Sequence, residues 1–161
     1  MEIKRIIEMN VEPDQLMVGD KITIGESLWK VLEIKDGKAL IWKCTKVEDH
    51  VFNENGSNEY EGSDIQKYLK DEFPETMPLE VLERVTDDGF FLLTEDEVRK
   101  YMPKEIDRIA TDENDQTTWW WTSTPSVGGG HGVRYIYPAG GVSIASACNS
   151  YGVAPACWIH L

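Results

Sequence analysis

Between Lys21 and Thr45 apolar and polar positions alternate in three runs, Lys21–Ile24, Leu28–Ile34 and Lys38–Thr45, with reversals at Gly25-Glu26-Ser27 and Lys35-Asp36-Gly37. Asp-Gly between apolar runs is a strong hairpin signal, because both turn positions need positive φ. The pattern therefore predicts an antiparallel meander. The period then changes. Ser63-Asp64-Ile65-Gln66 has the spacing of a capping box, and Ile65, Tyr68, Leu69 and Phe73 follow at helical intervals. An amphipathic helix is expected there, and a shorter one over Pro78-Leu79-Glu80-Val81-Leu82, since proline is tolerated in a first helical turn. Phe90-Phe91-Leu92-Leu93, after Asp87-Asp88-Gly89, reads as a short buried strand. Thr94-Glu95-Asp96-Glu97 repeats the capping-box spacing and predicts a third helix to about Met102, stopped by Pro103. Trp29, Leu32, Leu69, Leu93, Trp120 and Trp158 are the expected core.

A length of 161 residues suits one domain, 1–161, with residues 1–16 read as an N-terminal extension. The chain has 16 Lys and Arg against 29 Asp and Glu, a formal charge of −13. Such a field repels phosphate backbones, so nucleic acid is not an expected partner. No apolar run approaches the roughly 20 residues of a membrane span, and Met1 to Asn10 lacks the apolar stretch of a signal peptide. The expectation is no membrane insertion, with the chain cytoplasmic as synthesised or phage-associated. The charge is unevenly placed: residues 116–161 contain no acid and, of Lys and Arg, only Arg134. Seven of the 13 glycines also lie there.

Candidate chemistry is sparse. His50, His131 and His160 lie far apart, and Cys44, Cys148 and Cys157 match no metal or redox spacing, so no metal and no cofactor are expected and the thiols are read as reduced. Gly128-Gly129-Gly130-His131-Gly132 lacks the Lys and Ser or Thr of a phosphate loop. Cys148 or Ser143 could meet His131 in space, but no motif supports a nucleophile with its base. Trp119-Trp120-Trp121 is the most unusual feature. In a strand its rings point to alternate faces, so at least one should be core. The outward ring is expected to pack under a loop, with an exposed binding anchor as the alternative.

The strand Leu28-Trp29-Lys30-Val31-Leu32, the helix Gly62-Ser63-Asp64-Ile65-Gln66-Lys67-Tyr68-Leu69 and the segment Phe90-Phe91-Leu92-Leu93-Thr94 occur in this order. They are followed by Trp120-Trp121-Thr122-Ser123-Thr124-Pro125 and the closing Gly152-Val153-Ala154-Pro155-Ala156-Cys157-Trp158-Ile159. Together they resemble, over residues 17–161, an uncharacterised domain family of gut bacteria and their phages with a C-type-lectin-like fold, related to formylglycine-generating-enzyme domains. The resemblance implies an α+β architecture: antiparallel strands, two or three helices and an irregular β-rich C-terminal region. Two departures stand out. The family usually has Arg where this chain has Ala154, and Arg-Ser where it has Ser123-Thr124, so a buried Arg-centred polar network is absent or rebuilt.

Some members of that family are similar to variable proteins of diversity-generating retroelements, in which adenine-directed mutagenesis rewrites codons near the C-terminus. Asn codons altered in that way cannot yield Lys, Glu, Gln, Met or Trp, and residues 126–151 contain none of the five. The function implied is non-enzymatic recognition of a protein or glycan through a variable region over 116–161. Its surface is placed on His131, Arg134, Tyr135, Tyr137, Ser143, Ala145, Ala147, Asn149 and Tyr151, with Ile136, Val142 and Val153 facing inward. Tyrosines would supply contact area, with Ser and Asn supplying adaptable hydrogen bonds. Two rivals remain: a structural module of a phage or cell-surface assembly, and an enzyme of the formylglycine-generating lineage. The second would need a copper-binding cysteine pair, and Cys148 and Cys157 are set wider apart than in that lineage.

Overall fold

The turn at Asp36-Gly37 sets the register of the first sheet. Both residues have positive φ, 52° and 73°, the pair of values a two-residue hairpin requires. It joins β3 (Ser27–Lys35) to β4 (Lys38–Lys43), while Gly25, at φ 62°, turns β2 (Lys21–Ile24) into β3. The meander read from the sequence is thus present, with a register shift between Val31 and Glu33. The computed structural model describes residues 6–8 and 15–161. Most of the expected extension over 1–16 lies outside the described residues; Ile6–Glu8 forms β1, parallel to β2.

After β5 (Glu48–Val51) comes α1 (Asp64–Asp71), whose Ser63 side chain accepts from the Gln66 amide while Gln66 Oε1 accepts from the Gly62 amide at 2.7 Å. A 3-10 turn over Phe73–Thr76 leads to α2 (Leu79–Leu82). The third helix, α3 (Glu95–Tyr101), opens with a complete capping box between Thr94 and Glu97. A second 3-10 turn, Glu105–Arg108, precedes the β-rich remainder: β6 (Ala110–Thr111), β7 (Thr117–Thr118), β8 (Trp120–Pro125), β9 (Gly132–Ile136), β10 (Val142–Ser146), β11 (Ser150–Val153) and β12 (Ala156–His160). These form one sheet in the order β1-β2-β3-β4-β12, a second in the order β10-β9-β8-β11-β5, and the small pair β6-β7. The architecture is α+β with mostly antiparallel pairing. The C-terminal region is β-rich, with a register shift between Trp121 and Pro125 where β8 pairs with β9 and a single pair, Gly152 with Trp120, joining β11 to β8.

Central strand β4 explains the unbroken run Ala39-Leu40-Ile41-Trp42. Alternate side chains serve two cores: Ala39 and Ile41 join Trp29, Ile65, Leu69 and Phe52, whereas Leu40 and Trp42 join Leu93, Val98 and Met102 of the α3 side. The tryptophan run splits in the same way. Trp120 is tilted against Trp42 at 4.9 Å in the second core, and Trp121 meets Phe52 at 5.4 Å in the first.

Two expectations fail here. Phe90–Leu93 is not a strand. Val85 and Phe91 each make a single bridge to β12, at Ile159 and Ala156, because a turn closed by the Gly89 amide on the Thr86 carbonyl interrupts the pairing. Trp158 is only half-buried, at the rim of the second core with the Lys35 ammonium 5.3 Å above its ring, since alternation along β12 gives the central positions to Cys157 and Ile159.

Candidate ligand-binding surface

Strand alternation also decides which face of the second sheet each candidate residue occupies. Tyr135 pairs in register with Trp121 and with Ser143, and Val133 with Ala145, so these side chains share the face turned toward α1. Tyr151 of β11 joins them: its ring stacks on Tyr135 at 5.0 Å and on Trp119 at 5.7 Å, and is tilted against Trp121 at 5.0 Å. Tyr137, two residues beyond Tyr135, sets its ring edge-on to Trp119 at 6.4 Å. The result is a ladder of rings from core to solvent. Tyr135 is 7% exposed, Tyr151 half-buried, Trp119 40% exposed and Tyr137 50% exposed.

The base of the ladder is fixed by hydrogen bonds. Trp121 Nε1 donates to the His50 carbonyl at 3.0 Å, and Trp120 Nε1 to the Arg108 carbonyl at 2.9 Å. Gly152 admits β11 beside β8, where a Cβ would come within 2.4 Å of the Trp119 carbonyl oxygen. The β9–β10 turn that carries Tyr137 depends on Gly140, whose φ is +100° and whose missing side chain leaves room for the Glu105 carbonyl. Arg108 locks the same corner. Its buried guanidinium donates to the carbonyls of Met102 at 2.7 Å, Gly140 at 3.2 Å and Pro103 at 3.2 Å. This is where the chain keeps a buried arginine network, while Ala154 packs in the apolar core and Ser123-Thr124 serves α3. The Ser123 amide donates to the Leu93 carbonyl at 3.0 Å, and the Thr124 hydroxyl accepts from the Glu95 amide at 2.9 Å.

Not every candidate residue belongs to this surface. Tyr135 and Ala147 are buried in the first core, contrary to the expectation that they face solvent, because α1 and Phe52 cover that part of the face. Arg134 points to the opposite face, held by Glu95 at 3.6 Å. His131, at the far end of β9, lies about 20 Å along the strand from Tyr137. It is exposed, with Nδ1 2.9 Å from the Gly56 carbonyl. Asn149 is exposed in the turn between β10 and β11. Ser143 and Ala145 are half-buried beside the tyrosines. Of the expected inward residues, Ile136 and Val153 are buried and Val142 is half-buried. Trp119 corrects a further expectation: it is not under a loop but at the outer end of the ladder. Sequence reasoning also missed Asn58, a buried side chain whose Nδ2 donates to the Gly129 carbonyl at 2.8 Å and the Gly132 carbonyl at 3.0 Å, pinning the glycine loop.

No nucleophile meets a base among the candidates. The Cys148 thiol contacts the Ser146 hydroxyl at 3.2 Å, and His131 is engaged by Gly56. Cys157 lies in the first sheet, where burial pushes its thiol well above the usual value, whereas Cys148 is exposed between strands of the second. Among the described residues no three His, Cys, Asp or Glu side chains are grouped to hold a metal ion, and no helix is long and apolar enough to cross a membrane.

Fold and surface together define an α+β domain whose second sheet carries an exposed aromatic corner at Trp119 and Tyr137. Residues 83–161, from the end of α2 through β12, are similar to a family described as "Domain of unknown function (DUF6273)". No curated protein and no solved structure matches the chain.

Proposed function

We propose that this chain is a non-enzymatic ligand-recognition domain with a C-type-lectin-like fold, a variable protein of a diversity-generating retroelement that binds a protein or glycan target. The observation that carries the reading is the exposed aromatic corner of Trp119 and Tyr137, backed by Tyr151, in a segment almost free of charge. Large rings on a packed base offer contact area at low entropic cost, and such residues dominate binding hot spots. The absence of Lys, Glu, Gln, Met and Trp from residues 126–151 supports diversification at adenines. Burial divides that segment: His131, Tyr137, Ser143, Ala145, Asn149 and Tyr151 can change without emptying the core, whereas Tyr135 and Ala147 are part of it.

The test is the DNA flanking the coding sequence. A reverse-transcriptase gene should lie nearby with a near-copy of the codons for 126–151 that differs at adenines, and the differences should concentrate at the exposed codons. Flanking DNA with neither feature overturns the retroelement reading.

A further inference from the structure

The two sheets treat their edges differently. The outer edge of β12 is covered by residues 84–91: the Thr86 amide donates to the Trp158 carbonyl at 2.9 Å, the His160 amide to the Arg84 carbonyl at 2.8 Å, and Phe91 exchanges two bonds with Ala156. At one end of the second sheet β5 carries Glu48 and Asp49, both exposed. Charge or cover of this kind is what keeps sheet edges from pairing with other chains. At the other end, β10 has neither. Its sequence, Val142-Ser143-Ile144-Ala145-Ser146, holds no charge and no proline, its pairing with β9 is in unbroken register, and Ile144 at its centre is 50% exposed. Among the described residues no backbone bond is made to the outward side of Val142–Ala145.

We infer that β10 is a dimerisation edge: two copies of the chain pair their β10 strands antiparallel about Ile144, joining two five-stranded sheets into one. Three observations select a second copy as the occupant. The first is charge. A protein of formal charge −13 repels its own copies, and contacts through residues 1–115, which hold all 29 Asp and Glu, would set carboxylates against carboxylates. The β9–β10 hairpin, with its turn, spans residues 132–146 and contains one charged side chain, Arg134, tied to Glu95. Here two copies can meet without setting carboxylates against each other. The second is self-complementarity. A two-fold centred on Ile144 places Val142 opposite Ser146 and Ser143 opposite Ala145, small or apolar pairs with no like charges facing. The third is the side-chain pattern. On one face Ser143 and Ala145 are too short to obstruct an added strand, and on the other Ile144 gains an apolar neighbour, its own copy. Pairing of this kind would leave Trp119 and Tyr137 open on each copy, so the dimer would present two aromatic corners on one continuous sheet.

Sedimentation of the full chain across roughly micromolar to millimolar concentration tests this. The mass should rise from one chain to two, and added salt should strengthen association, because it screens repulsion between two strongly acidic bodies without weakening an uncharged interface. Ile144→Lys should weaken dimerisation by about tenfold or more, since it sets two ammonium groups together at the two-fold axis. Amide exchange along β10 in the unaltered protein gives a readout that survives misfolding of that variant: the β10 amides should exchange more slowly in concentrated than in dilute solution. A monomer at every concentration, association that salt dissolves, or β10 exchange indifferent to concentration overturns the proposal.

Discussion

Tyr135 on β9 and Tyr137 just past its end lie two residues apart and are chemically identical, yet the structure buries one and exposes the other. Tyr135 is 7% exposed between Trp121 and Tyr151. A tyrosine buries about 150–250 Å² and apolar area contributes roughly 25 cal/mol per Å², so Tyr135→Ser should cost about 3–5 kcal/mol, in line with other aromatic truncations in cores. Tyr137 is 50% exposed and its ring contact is Trp119, itself 40% exposed, so Tyr137→Ser forfeits about half the area against a partly exposed partner, about 1–2 kcal/mol. For a domain of this size each kcal/mol moves the melting temperature by about 2–4 °C, which puts the two variants roughly 5–10 °C apart. Thermal melts followed by circular dichroism would read the gap, and binding of an identified target would read the reverse order, with Tyr137→Ser losing affinity while staying folded. Equal melting temperatures would refute the argument that ring depth separates scaffold from surface on this strand.

Two further outcomes follow from burial and backbone geometry. With Cys44 and Cys157 buried and their thiols pushed up by burial, Cys148 alone should react quickly with a thiol reagent in the native protein, the other two only on unfolding; prompt reaction of all three in mass spectrometry would contradict the core assignment. Gly140→Ala should destabilise by about 2–5 kcal/mol in denaturant melts, because φ is +100° and the new Cβ would fall 2.0 Å from the Glu105 carbonyl oxygen, and a change below about 0.5 kcal/mol would show that the turn relaxes freely.

The parts legible in the sequence were those fixed by neighbours along the chain. Asp36-Gly37 specifies its turn whatever surrounds it, and Thr94 with Glu97 closes a capping box within one helical turn. Contacts between distant segments were not legible. Phe90–Leu93 has the composition of a strand, but β12 takes only Phe91, and the Thr86–Gly89 turn prevents more. Alternation at Trp119-Trp120-Trp121 correctly implied two faces, yet exposure of Trp119 depends on where cover from α1 and Phe52 ends, which no local pattern encodes. Arg108 gave no signal: its role arises from three carbonyls, one of them Gly140, 32 residues away.

Ring packing also limits how far the C-terminal surface could vary. Tyr135 and Tyr151 stack on one another, so the exposed end of the ladder rests on a ring that belongs to the core. Replacing the outer rings removes contact area for a ligand, whereas replacing Tyr135 removes the support that orients Tyr151 and, through it, Trp119. Gly140 imposes a similar restraint, since its φ is +100° and any side chain there would meet the Glu105 backbone. A mechanism that rewrote every codon of residues 126–151 without discrimination would therefore spend many of its products on unfolded chains. Substitution compatible with folding would be confined to the positions that the core leaves uncovered, at the outer end of the aromatic face, along β10 and in the loops that join the strands.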